Sequence, residues 1–125
     1  MGYCMELVDW DFEIKADKKE SAFKAVKKLI AKLNRRKYYS PYQIKSDLFD
    51  TVVGLDWELQ EDDKGNINAA VFLGEKLGDD DMLFAALAPF VTKGSYIQMS
   101  GGDGGCWRWI FDGKKCKEKH AKVSW

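Results

Sequence analysis

The order of periodic segments predicts an α+β fold, an antiparallel or mixed sheet of about six strands with two or three helices gathered on one face. Three observations carry that prediction. Apolar and polar residues alternate over residues 3–14 and again over 106–111, the period of a half-buried strand. Apolar residues recur at helical spacing over 17–33. Glycine, proline and aspartate clusters punctuate the remainder into short elements. The specific expectation is a ferredoxin-like core extended by a C-terminal meander, with a curved antiparallel sheet wrapped around the first helix as the alternative. With 125 residues, 14% of them aromatic and 32% charged, the chain suits a single domain over residues 1–125 that buries a core without disulfides or metals.

In the first strand Val8, Trp10, Phe12 and Ile14 are expected on the buried face and Leu7, Asp9, Asp11 and Glu13 on the other. Asp17, three residues before Glu20, suggests a capping box for a helix whose stripe is Ala22, Phe23, Val26, Leu29, Ile30 and Leu33. Lys24, Lys27, Lys28 and Lys32 fall on its outer face, and Arg35, Arg36 and Lys37 at its C-terminal end, where the dipole favours cations. Residues 38–45 read as a connection whose tyrosines cover the domain edge. Ser46 is then placed to cap a short helix with Leu48, Phe49, Val52 and Val53 on one face and Gly54 at its end, although Val52 and Val53 suit a strand as well.

A hairpin follows. Trp57 and Leu59 alternate with acids, Asp63 to Asn66 supply the turn, and Ile67 to Leu73 form the return strand, leaving Glu58, Glu61, Asp62 and Asp63 as its solvated side and tip. Asp79, Asp80 and Asp81 precede the helical run Met82, Leu83, Phe84, Leu87, Phe90 and Val91, where an N-cap and first turn favour negative charge; Pro89 ends or bends the helix. Divalent-cation loops space their oxygen ligands at alternate positions, so the triplet reads as capping.

The C-terminal stretch is a three-stranded meander: Ser95 to Ser100, the loop SGGDGG, Cys106 to Asp112, and a last strand after the turn signal Asp112-Gly113. Centring the turn there pairs Trp109 with Cys116, Trp107 with Glu118 and Arg108 with Lys117. One face then holds Trp107, Trp109, Phe111 and Cys116, the other Cys106, Arg108, Lys115, Lys117 and Lys119 around Ile110. Cys106 and Cys116 diverge, and Cys116 and His120 stand roughly 13 Å apart along one strand, too far to share a zinc ion. No metal or cofactor is expected. The apolar parity of Ala121, Val123 and Trp125 suggests a bulge near Lys119.

The same residues limit the chemistry. Trp107, Trp109 and Phe111 invite a base-stacking reading, but the helices need a sheet face to cover and these are the largest apolar groups available, so nucleic acid is disfavoured. SGGDGG runs into a strand rather than a helix, unlike a phosphate loop. The lone His120 has no visible positioning partner and the carboxylates are strung along solvated faces, so no catalytic set is identified. The acidic N-terminus has no hydrophobic leader region, no run is long enough to span a membrane, and the three cysteines make an odd count, together pointing to a cytoplasmic protein with reduced thiols.

The runs LFAALAPFV, GSYIQM and WRWIFDG, following an acidic Trp-containing hairpin, resemble an uncharacterised group of small bacterial and mobile-element α+β proteins. The resemblance covers the second half of the chain and implies no activity or site.

Formal charge is zero but segregated: residues 1–14 carry only acids, 15–45 are strongly basic, 46–103 strongly acidic and 104–125 basic again. Oppositely charged elements lying side by side would explain this, as would a polar binding surface. The expected function is a small non-enzymatic protein, monomeric or a small homo-oligomer, that docks onto a protein partner as an immunity protein or a mobile-element-encoded inhibitor does. Its candidate binding residues are the acidic strip Asp9, Asp11 and Glu13 and the basic face Arg108, Lys115, Lys117 and Lys119. The alternatives are a small-molecule or nucleotide binder, with its pocket between the sheet and residues 38–42, and single-stranded nucleic-acid binding through Trp107 and Trp109.

Overall fold

Six strands and three α-helices follow one another in a computed structural model that describes residues 5–35, 42–74, 78–101 and 105–120. They are β1 (Met5–Asp11), α1 (Lys19–Asn34), α2 (Leu48–Val53), β2 (Trp57–Glu61), β3 (Ile67–Phe72), α3 (Asp80–Leu87), β4 (Tyr96–Gly101), β5 (Cys106–Phe111) and β6 (Cys116–His120). All strand pairs are antiparallel, but they divide into a four-stranded sheet ordered β1-β4-β5-β6 and the separate hairpin β2-β3. One sheet was expected, and the division does not establish a ferredoxin-like core. The cause is local: β1 ends at Asp11, and beyond it, among the described residues, Ile14 bridges to Ile67 and Val91, with paired backbone bonds to Ile67 of 2.9 and 2.8 Å.

The bulge in the sheet lies in β1, not β6. Leu7 pairs with Met99 and Asp9 with Gln98, so Val8 is the extra residue. It is 51% exposed, and the inward positions before it become Met5 and the half-buried Leu7 instead of Val8. Phe12 and Ile14 are buried as expected, whereas Trp10 is 41% exposed. β6 keeps regular register through His120; residues 121–125, which prompted the expected bulge, lie outside the described residues.

α1 buries Ala22, Val26, Leu29, Ile30 and Leu33, the i, i+4, i+7 stripe that its sequence carries. Its entry differs from the predicted capping box. A 3₁₀ turn over Ala16–Lys18 takes up Asp17, and no side chain caps either segment. The Ala16 N–H instead donates to Asn66 Oδ1 at 2.9 Å, tying the helix entry to the β2-β3 turn. In α2 the cap is Asp47, not Ser46, accepting from Asp50 N at 2.8 Å. The buried positions are Leu48, Thr51 and Val52; Val53 is 46% exposed, and Thr51 is satisfied by donating to the Asp47 carbonyl at 2.7 Å.

The last hairpin closes later than Asp112-Gly113 predicts. The Asp112 carboxylate accepts the Lys114 and Lys115 N–H groups at 2.9 and 2.7 Å, which places Asp112 before the turn and Gly113, with φ 95°, at its first central position. Phe111 therefore pairs with Cys116, Trp109 with Glu118, Arg108 with Lys119 and Trp107 with His120. The slip is two residues on β6, so every partner changes while the assignment of side chains to faces survives.

A single buried cluster draws side chains from all three helices and from β1 to β5, with Cys116 of β6 packed against it. At its centre Trp57 meets Phe84 edge-on at 4.9 Å, Phe84 lies 4.8 Å from Trp109, and Phe111 meets Phe12 at 5.6 Å. The hairpin β2-β3 and α3 thus cover the inner face of the four-stranded sheet.

Candidate functional site

Cross-strand partners share a face, so the pairing of the four-stranded sheet can be read as rungs. Two complete rungs cross its outer face: Asp9, Gln98, Arg108, Lys119 and, next to it, Asp11, Tyr96, Ile110, Lys117. Each begins with a carboxylate on β1 and ends with a lysine on β6. Three strand spacings of about 4.8 Å separate the two ends by about 14 Å, beyond a Debye length of about 8 Å at physiological salt. The acids and lysines at the rung ends therefore do not neutralise one another.

On the strands between them, hydrogen bonds and one cation–π contact link Asp9, Tyr96, Arg108, Gln98 and Cys106. Tyr96 Oη donates to Asp9 Oδ2 at 2.8 Å, and this bond leads the influences that raise the phenol's pKa. The Arg108 guanidinium lies 4.5 Å above the Tyr96 ring, and its Nε donates to Gln98 Oε1 at 2.8 Å. Gln98 Nε2 in turn reaches Cys106 Sγ at 3.5 Å. A groove of about 490 Å³ opens beside these contacts, lined by Gln98, Cys106, Trp107, Arg108, Ile110, Lys119 and His120. His120 stacks on Trp107 with ring centroids 6.1 Å apart and pairs with Glu118 through Nε2 at 2.7 Å.

The structure thus brings Asp9, Asp11, Arg108, Lys117 and Lys119 onto one face. Glu13 does not join them: it lies past the end of β1, where its Oε1 accepts from Thr92 Oγ1 at 2.7 Å and its N–H donates to Ser95 Oγ. Lys115 belongs to the β5-β6 turn, engaged through its backbone with Asp112. Tyr96 and Gln98, which orient Arg108, were missed by the sequence reading; their signal was the alternation in SYIQMS, which puts Ile97 and Met99 inside and Tyr96 and Gln98 outside.

The acid triplet has a different fate. Asp79 is the N-cap residue of α3 without a side-chain capping bond, and Asp80 and Asp81 occupy the first turn. Their carboxylates accept from aromatic donors: Asp79 from Tyr42 Oη, Asp80 from Trp57 Nε1 at 2.7 Å, Asp81 from Trp109 Nε1 at 2.8 Å. Asp80 is 3% exposed and also accepts from Gly78 N, yet burial dominates and raises its pKa. Burial, followed by the Asp79 hydrogen bond, raises the Tyr42 phenol. Cys116, on the inner side of β6, has its thiol pushed up to about 12 by burial and then by Asp81.

Trp107 and Trp109 are buried, so neither offers a ring face for bases to stack on. Among the described residues no group of three or more His, Cys, Asp or Glu could hold a metal ion. No helix there is long and apolar enough to cross a membrane. Residues 36–41, most of the connection invoked for a small-molecule pocket, lie outside the described residues; Tyr42 itself is held by paired bonds to Asn34. Comparison with protein-family models, curated proteins and solved structures finds no match.

Proposed function

We propose that this is a small non-enzymatic binding protein that acts by laying the outer face of its four-stranded sheet against another protein, as an immunity protein or a mobile-element-encoded inhibitor would. The observation that carries the reading is the pair of rungs, each running from a carboxylate at β1 to a lysine at β6. A surface sorted in this way favours a partner presenting a basic strip and an acidic strip about 14 Å apart. Its register would be set by both ends at once, since a partner turned around would meet like charge at each strip. The exposed face offers few apolar anchors, so steering and specificity are the strengths of such a contact, and its affinity should fall with salt.

The test is capture from the native host with the tagged protein, followed by reconstitution with the purified partner. The expected partner binds stoichiometrically, is released by salt, and is lost with Lys117→Glu/Lys119→Glu and with Asp9→Lys/Asp11→Lys. A reconstituted partner that ignores both pairs of reversals would place the contact elsewhere and refute the reading.

A further inference from the structure

Arg108 is more constrained than a surface arginine needs to be. Its guanidinium carbon lies 4.5 Å from the centre of the Tyr96 ring, its Nε is committed to Gln98, and Tyr96 is itself anchored by Asp9. A guanidinium has five N–H donors, and among the described residues those on its two terminal nitrogens meet no acceptor. The free edge of the fork is thus held in a set orientation before anything binds, which lowers the ordering cost of a bidentate contact.

Directly across the ladder from Arg108 stands Lys119. Like charges opposite each other in a sheet are destabilising, and among the described residues neither forms an ion pair with a carboxylate. Both line the groove of about 490 Å³, with His120 also on its wall. Opposed cations, one of them pre-oriented, beside an open groove form a site that an oxyanion would complete.

We propose that Arg108 and Lys119 form a carboxylate seat, in which the terminal nitrogens of Arg108 clasp the two oxygens of an Asp or Glu side chain and Lys119 supplies the second cation. The partner side chain is named on the strength of the docking reading above; the seat itself stands on its own geometry. A singly charged carboxylate fits better than a phosphate dianion because Glu118, adjacent to Lys119 and paired with His120 on the groove wall, adds negative charge beside the seat. Tyr96, Gln98 and Asp9 are positioning residues, acting through Arg108.

Two-dimensional ¹H–¹⁵N NMR of the full chain tests this, with acetate, inorganic phosphate and chloride titrated at fixed pH and ionic strength. Acetate should give saturable shifts of the Arg108 Nε–H and of the Gln98, Arg108 and Lys119 amides that chloride does not. Arg108→Lys, which keeps the charge but removes the fork, should weaken the apparent acetate affinity roughly tenfold, and Lys119→Gln should weaken it as well. Lys24→Gln, an exposed change on α1, should leave it unaltered. Shifts shared with chloride, saturation by phosphate at lower concentration than acetate, or an Arg108→Lys titration matching the parent would each overturn the proposal. A working seat with no reconstituted partner would count against docking alone; a partner that binds Arg108→Lys and parent equally would count against the seat alone.

Discussion

The inner and outer faces of the four-stranded sheet use the same amino-acid chemistry to opposite ends. On the inner side, Asp80 and Asp81 reach the indoles of Trp57 and Trp109, so the carboxylates serve to satisfy donors that an aromatic core would otherwise bury unpaired. On the outer side, Asp9 and Asp11 stand a full sheet width from the nearest lysine of their own rungs and face solvent. The difference shows that an acid's role here is decided by the donor it can reach. Buried indole N–H groups absorb the carboxylates of α3 into the fold; the outer face leaves its charges at the solvent boundary.

The largest effect expected from disturbing this contrast is in the aromatic layer. Trp109→Ala removes a side chain that is 1% exposed, touches Trp57, Phe84 and Trp107, and donates to Asp81. It should cost about 3–5 kcal/mol in urea unfolding, whereas Arg108→Ala on the neighbouring outer position should stay within about 0.5 kcal/mol. Comparable losses from both would mean that the outer network is part of the structural core.

The thiols on the two faces provide the next test. With its pKa pushed up by burial from the ordinary 9.0 to about 12, Cys116 should be alkylated at pH 8 on the order of 10²–10³ times more slowly in the native protein than in urea. Peptide-resolved mass spectrometry follows it separately from Cys106 on the outer face. Equal native and unfolded rates at Cys116 would show that β6 does not shelter it.

A smaller effect is expected from the pH dependence of Asp80. Its carboxyl is raised above the ordinary 3.8, chiefly by burial, so between that value and the raised one the native state holds more proton than the unfolded state. Stability from this group is therefore greatest at low pH and is lost as pH rises through the folded-state pKa. Relative to Asp80→Asn, the parent should gain stability as pH falls from 7 toward 4. A parent that instead loses stability against the variant over that range would show the Trp57 and Gly78 hydrogen bonds outweighing burial.

Much of this fold was legible because local periodicity and packing agree. The stripe of α1 emerges intact, the inward set Trp107, Trp109, Phe111 is buried, and the acid triplet does open α3. Register and caps were less legible. Asp112 displaced the turn by bonding to two backbone N–H groups, and Asn66, fifty residues along the chain, took the capping place assigned near Asp17. In the candidate site, charge type was visible in WRWIF and KCKEKH, but Glu13 and Lys115 were grouped with it by spacing alone, and a strand end and a turn removed them.

By itself, then, the sequence determined which residues prefer which environment: alternation sorts each strand into two faces, because side chains on a pleated backbone must point in turn to opposite sides. It could not decide which strands lie next to one another, since antiparallel pairing is stabilised by backbone groups that every residue carries. Only the tertiary structure set β1 and β6 at opposite edges of one sheet, and with them an acidic and a basic margin with Tyr96, Gln98 and Arg108 on the strands between.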